Sequence, residues 1–372
     1  MASKIRLGFV GANIHSDWAN KSHFPALRAS PDIELTAVCT TNPQSAEEAR
    51  QAFGARLAFS DYRVMANSPE IDAVAVVVRA PSHYAPTMAA LAGGKHVYTE
   101  WPLGITTREA EDMAGLARAN NLFTAIGLQS RVSPAMLHMK ELVAAGYVGK
   151  VLTCRATAIR VGHLERPAHR SWFADEKQGA TPLTIMTSHI VDSLRFVAGD
   201  FAQLSAQVSR QIKQWRVRET GELIDVTAPD NIMLHGQLAN GAVAAVQVAT
   251  VPYAPAGYLM EVYGTEGKLT ISSKVSSNHG EQNEMLKLQG AQKSSELRDI
   301  ETPDRFFFLP PEFPRGTPFP IGQMYALLAR AIRSGQSPAE LPSFDTALQM
   351  HRLLDVIRQA SDSGARVTVP VS

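Results

Sequence analysis

Short apolar runs alternate with helical patterns through the first third of this chain, and that alternation restricts the folds open to it more than any other feature. Residues 5–10 (IRLGFV), 33–39 (IELTAVC), 72–78 (DAVAVVV), 96–99 and 123–127 are rich in β-branched residues and bounded by Gly, Pro or Asn, which predicts strands. Between them residues 43–53, 83–92 and 106–120 carry helical patterns. Strands that are apolar almost throughout have both faces buried, so the arrangement is a parallel sheet covered by helices on both sides. We expect a doubly wound α/β domain over residues 1–128.

Beyond residue 129 the pattern changes. A helix over 134–145 stops at Gly146, as a left-handed cap would stop it. Long β-rich runs follow at 150–161, 202–212, 231–238, 243–251, 258–264 and 268–272, and Ala239-Asn240-Gly241 supplies a tight turn between two of them. This predicts an α+β C-terminal domain, residues 129–372, built on an open, mainly antiparallel sheet. Residues 273–301 are polar and aperiodic, which suits a long loop or a weak edge insertion, and two helices near 321–334 and 344–360 close the chain. A sheet face left free by those helices is a face for another subunit, so a homodimer or homotetramer is expected.

Composition narrows the partners. A formal charge of +1 over 372 residues gives no electrostatic reason to bind nucleic acid or an anionic membrane. The two cysteines, Cys39 and Cys154, stand alone in apolar strands and read as buried thiols of a reducing compartment. The chain enters its first strand without a signal peptide's apolar core, and its longest clean apolar run, 73–78, is too short to span a bilayer. A cytoplasmic protein is expected. The histidines show no metal-ligand spacing, and no metal is expected.

The first predicted strand runs into Gly8-Phe9-Val10-Gly11-Ala12-Asn13-Ile14-His15-Ser16. In a dinucleotide-binding (Rossmann) fold this turn offers backbone N–H groups to the pyrophosphate, and its fingerprint G-x-G-x-x-G falls on Gly11, Asn13 and Ser16. Asn13 tolerates a left-handed backbone and is expected to keep the turn in place of the second glycine. Ser16 is small enough for close helix packing and able to donate to a phosphate oxygen. At the end of the second strand, where an acidic residue would hold the adenosine ribose and repel a 2′-phosphate, stand Thr40 and Thr41. The cofactor is therefore NADP or NAD, with NADP weakly preferred. Arg79, His83 and Glu100, at the ends of the following strands, complete the expected cofactor-side residues.

Gly94-Lys95-His96-Val97 followed by Glu100-Trp101-Pro102 resembles the G-K-H-V…E-K-P hallmark of the glucose-fructose oxidoreductase and inositol dehydrogenase family. Further stretches resemble the branch of that family containing the fungal galactose-pathway transcriptional regulator. They are Leu128-Gln129-Ser130-Arg131, Lys140-Glu141-Leu142, Gly146-Tyr147-Val148-Gly149, Glu165-Arg166-Pro167, Pro229-Asp230 and Gly264-Thr265-Glu266-Gly267. The resemblance implies an N-terminal Rossmann domain followed by an open antiparallel sheet. It also implies a site made by the E-K-P lysine, an Asp, and a His four residues later. In this chain those positions are Trp101, Ile185 and His189, so two of the three groups are missing.

Oxidation of an alcohol by a nicotinamide cofactor needs a group that takes the hydroxyl proton, and an indole cannot do so. His189, which is expected to begin a helix with Asp192 on its face, is the candidate base. Trp101 reads as a wall or stacking platform; Gln129, Arg131, Glu165, Arg166 and Asp192 are candidates for holding substrate, and Tyr98 and His163 for lining the same cleft. Two functions follow. One is an NAD(P)-dependent oxidoreductase acting on a sugar, polyol or sugar-derived substrate. The other is a non-catalytic NAD(P)-binding sensor with a regulatory protein partner.

Overall fold

A computed structural model describes residues 3–162, 164–273, 286–293 and 296–370. The chain divides into two compact units: residues up to Val132 together with Phe307–Leu348, and Ser133–Phe306 together with Gln349 onward. A single cut after residue 128 does not reproduce this division, because the segment 307–348 folds with the first unit.

The first unit holds six strands: β1 Ile5–Val10, β2 Ile33–Cys39, β3 Leu57–Phe59, β4 Ala73–Val76, β5 His96–Thr99 and β6 Thr124–Ile126. They form one parallel sheet in the order β3-β2-β1-β4-β5-β6. The order reverses between β1 and β4, and it is there, beyond the carboxyl ends of the strands, that open α/β sheets bind ligands. Helix Pro43–Phe53 begins with Asn42, whose side chain accepts from Ser45 N–H, and Thr106 caps Thr107–Ala119 in the same way. Helix Pro318–Ser334 buries Phe319, Ile321, Met324, Tyr325 and Leu328 in the core that also holds Leu7, Phe9 and Phe24. That burial fixes the C-terminal segment to the parallel sheet. Four elements of this unit escape the apolar periodicity: β3, with three half-buried residues, and the short helices Asp17–Lys21, His23–Ala29 and Tyr62–Ala66.

The second unit contains β7 Val151–Val161, β8 Glu165–Arg166, β9 Phe201–Ser209, β10 Gln214–Val217, β11 Leu223–Asp225, β12 Asn231–Leu238, β13 Val243–Val251, β14 Gly257–Gly264, β15 Gly267–Ser273, β16 Lys287–Gln292, β17 Arg298–Asp299 and β18 Val367–Thr368. Nine of these make the sheet β17-β16-β15-β14-β7-β13-β12-β9-β18, antiparallel except for β7 beside β13. The described part of 273–301 is an edge insertion, since β16 and β17 extend the sheet from β15; residues 274–285 and 294–295 lie outside the described residues. Alternate residues of β12, β13 and β7 leave Met233, His235, Val243, Ala245, Thr153 and Arg155 exposed on one face. A second, three-stranded sheet, β11-β10-β8, stands apart.

Several of the stretches that carried the family resemblance are joints of this fold. Lys95 Nζ donates to the carbonyls of Ser68 and Ile71, at 2.8 and 2.9 Å, tying the start of β5 to the segment that leads into β4. The Asp230 carboxylate accepts from the backbone N–H groups of Gln211 and Ile212, the latter at 2.6 Å, where β9 ends. Gly149 has a φ of +68°, and a Cβ there would stand 2.4 Å from Thr265 Oγ1, so Gly146-Tyr147-Val148-Gly149 and Gly264-Thr265-Glu266-Gly267 are two sides of one contact. Cys39 and Cys154 are both free and buried, and burial pushes each thiol up to about 12. Among the described residues no helix is long and apolar enough to cross a membrane.

Candidate functional site

The turn after β1 is shaped by Gly11. Its φ is +95°, and a Cβ at this position would lie 2.2 Å from the Val77 carbonyl oxygen, so no other residue fits. This is the close backbone approach that a pyrophosphate turn needs, and it fits a dinucleotide. Asn13 keeps the turn by a different device from the one expected. Its backbone is not left-handed; instead Oδ1 accepts from His15 N–H at 2.8 Å while its carbonyl accepts from Ser16 N–H at 2.9 Å. Ser16 then caps the short helix Asp17–Lys21, its hydroxyl accepting from Ala19 N–H. Asp17, in the first turn of that helix, is neutralised by Lys21 at 2.5 Å, which limits its repulsion of a phosphate.

At the end of β2 the Thr40 hydroxyl shares a hydrogen with Ser45 Oγ at 2.7 Å and donates to the Asn42 carbonyl at 3.1 Å. It braces the helix start, and Thr41 beside it is exposed. Arg79 follows β4 and starts a turn of 3₁₀ helix.

Two of the expected cofactor residues point inward. His83 is buried, with Nδ1 2.7 Å from the Pro102 carbonyl and Nε2 3.0 Å from that of Val78, which leaves its ring no free nitrogen for a ligand. Burial pushes its pKa down, while the two carbonyls act in the opposite direction. Its place is a strut between the end of β4 and the Glu-Trp-Pro segment. Glu100 is turned the same way, with Oε1 accepting from His23 Nε2 at 2.9 Å and from the Tyr98 hydroxyl at 2.8 Å. His23 Nδ1 meets the Tyr325 hydroxyl at 2.8 Å. Burial works against the Glu100 charge, but the hydrogen bond and charge of His23, then Tyr98 and Trp18, outweigh it and hold the carboxyl below its ordinary range. Tyr98, expected to line the cleft, is fully buried in this network, and burial raises its phenol well above the usual value.

The next residue, Trp101, precedes Pro102 through a cis peptide bond and is 5% exposed. Gln129 and Arg131 lie on the 3₁₀ turn Gln129–Val132 after β6; Gln129 is buried and Arg131 half-buried. That turn is fastened by Gln323 Nε2, which donates to the Val132 carbonyl at 3.0 Å.

In the second unit, His189 is the second residue of helix Ser188–Ala198, yet it does not begin the helical run. A π-helical turn, Pro182–Thr187, precedes it without a break, and a reciprocal cap between Thr181 and Thr184 starts that turn. Ile185 lies inside the π turn, a geometry that is rare and concentrated at functional sites. His189 and Asp192 are both buried. Glu165 and Arg166 form β8, so their side chains leave the strand on opposite faces. Glu165 is exposed, while Arg166 lies over the Trp215 ring with its guanidinium carbon 4.6 Å from the ring centroid. His163 lies outside the described residues. Among the described residues no group of three His, Cys, Asp or Glu side chains could hold a metal.

His23, Tyr325 and Trp215 are the site residues that sequence reasoning missed. Tyr325 is 302 positions from its partner, and no local spacing announces such a pair.

Residues 5–128 match the family described as an oxidoreductase family with an NAD-binding Rossmann fold, and residues 134–273 match the Gal80p C-terminal domain. The dehydrogenase aclE of Aspergillus oryzae is 31% identical over 64% of this chain and 68% of its own length. The galactose/lactose metabolism regulatory protein GAL80 of Saccharomyces cerevisiae is 28% identical over 65% of this chain and 60% of its own. Among solved structures, levoglucosan dehydrogenase in complex with NADH and L-sorbose superposes with a TM-score of 0.85 at 23% identity over the whole of both chains, a likeness of fold. With a parallel sheet that ends in a glycine-only turn and a mainly antiparallel second sheet, this chain belongs to the Gfo/Idh/MocA oxidoreductase family and carries a C-terminal domain of the Gal80p kind.

Proposed function

We propose that the protein is an NAD(P)-dependent oxidoreductase that acts on a CH–OH group of a sugar, polyol or sugar-derived substrate. The observation that carries this reading is the Gly11 turn, where a backbone contact only glycine permits stands at the carboxyl end of β1 in a member of an oxidoreductase family. Gly11, Asn13, Ser16, Thr40, Thr41 and Arg79 hold the cofactor, and His83 and Glu100 brace the walls behind it. The neutral pair Thr40-Thr41 favours NADP at least as much as NAD. When bound, the nicotinamide accepts a hydride from the carbinol carbon or returns one to a carbonyl.

The chain's own part is to bind, orient and move one proton. His189 takes the hydroxyl proton on its imidazole as the C–H pair of electrons leaves with the hydride, and gives it back in reduction; a positioned base of this kind contributes roughly 10²- to 10⁴-fold. Trp101 supplies an apolar wall and no proton acceptor. Asp192, Gln129, Arg131 and Arg166 orient the substrate, with Glu165 at the rim. We place nucleotide binding in the first unit and the assembly surface and most substrate contacts in the second. The exposed face of β7, β12 and β13 pairs with a second copy to give a homodimer or homotetramer, which light scattering at micromolar concentration reads. The compartment consistent with two free thiols is the cytoplasm.

A non-catalytic sensor is the second reading. It is favoured by the tryptophan at the position where the family hallmark E-K-P has its lysine and by the Gal80p-like match over 134–273. Following reduced-nicotinamide absorbance with NADP or NAD and a panel of sugars, polyols and sugar acids separates the two. Turnover of any member supports the enzyme; nucleotide binding with no turnover across the panel supports the sensor.

A further inference from the structure

Among the described residues Arg166 is a cation without an anion: its Nε is sealed from solvent with no hydrogen-bond partner there, and no carboxylate there forms an ion pair with it. Glu165, its neighbour in sequence, points to the other face of β8. Its surroundings add positive charge: burial first, and then the charge of Arg170, push the guanidinium below its ordinary value. An arginine cannot relieve that cost by losing a proton. The group is also held in place. Trp215, which carries the guanidinium on its ring, is itself packed on the small core of Ala174, Val226 and Ala228. A part-buried, flattened fork of N–H donors beside a second arginine is the arrangement that receives a planar oxyanion through paired hydrogen bonds.

We propose that Arg166, stacked on Trp215, binds an oxyanion borne by the substrate, which makes that substrate a sugar-derived acid or ester in place of a neutral sugar. This deepens the oxidoreductase reading and rests on it for the word substrate, but the binding site stands on its own geometry. The occupant supplies the charge that the fold withholds from Arg166, and the aromatic platform sets the plane in which it is held.

Calorimetric titration of the full chain with D-glucuronate, D-glucose and inorganic phosphate tests the site. Glucuronate should bind at least about tenfold more tightly than glucose, the worth of a hydrogen bond to a charged group. Arg166→Gln should erase that preference while the circular dichroism spectrum and nucleotide affinity stay at wild-type values. Arg166→Lys should fall between, because it keeps the charge and loses the fork. Phosphate binding that depends on Arg166, without glucuronate binding, upholds the oxyanion site and assigns it to a phosphate ester. Equal affinity for glucuronate and glucose with no phosphate binding, or glucuronate binding unchanged in a folded Arg166→Gln, overturns the proposal. Arg166-dependent glucuronate binding with no turnover across the panel of sugars, polyols and sugar acids leaves the site standing and removes the oxidoreductase reading.

Discussion

Replacing His23 by leucine should convert Glu100 from a stabilising group into a destabilising one. The imidazole is fully buried, and the Glu100 side chain it serves is 14% exposed, so the lost partner cannot be replaced freely by water. Removing one member of a buried pair costs about 3–5 kcal/mol, and the residual exposure places this case near 3 kcal/mol. The pH dependence gives the sharper reading. In the wild type Glu100 has a depressed pKa, so its contribution is present above about pH 4.3, the unfolded value, and is lost as pH falls through the folded value. In His23→Leu burial dominates and raises that pKa, so the carboxylate costs more as pH climbs above about 4.3, by up to about 1.4 kcal/mol per unit. Urea unfolding followed by circular dichroism at pH 5 and pH 7.5 should therefore show a larger deficit at pH 7.5. The double variant His23→Leu with Glu100→Gln should recover much of it, since a neutral amide still accepts from the Tyr98 hydroxyl. A His23→Leu protein that loses under about 1 kcal/mol, or loses equally at both pH values, refutes this account of the network.

Other outcomes follow from single sites. Gly11→Ala should weaken NADP and NAD alike and cost roughly 1–3 kcal/mol of stability, because φ is +95° and the added Cβ meets a backbone oxygen; calorimetry and thermal unfolding read the two effects. Thr40→Asp should weaken NADP through like-charge repulsion and NAD less, and equal losses in titrations of both nucleotides would remove the assignment. His351, buried and pushed down from 6.5 to about 4, takes up its proton more readily once unfolded. Its contribution is whole above about pH 6.5 and falls away as pH drops toward 4, by about 3 kcal/mol in total, so His351→Leu should flatten the acid limb of a stability profile.

What could be read from the chain before its fold was known has a physical boundary. Five of the six strands of the parallel sheet were visible because buried strands need unbroken apolar runs, whereas β3, three half-buried residues, was not; helix Pro43–Phe53 showed by its helical pattern. The strands β7, β9, β12, β13, β14 and β15 showed as β-rich runs, with Asn240-Gly241 marking one of their turns, while the shorter β8, β10, β11, β16, β17 and β18 did not. The helix His23–Ala29 stayed hidden, since its seven residues are too few to set up a period and include Pro25. At the site, Gly11 was legible because one residue's backbone demand is local. Asn13 was assigned the right place and the wrong device, as its side chain, not a left-handed backbone, makes the turn. Glu100 and His83 were noticed, but strand position alone does not say whether a side chain faces a cleft or the core. The π turn before His189 left no trace, because a single extra residue per turn does not disturb an apolar stripe that short.

The central claim, that His189 is the proton acceptor of an oxidoreductase, is tested most directly by turnover and nucleotide affinity measured together on His189→Ala. With the best substrate found in the panel and saturating cofactor, kcat should fall by about 10²-fold or more while the NADP dissociation constant stays within about twofold of wild type, since the imidazole is lost from the chemistry and not from the Gly11 turn. Unchanged kcat in a folded His189→Ala protein would contradict the claim and leave the oxidoreductase without its base.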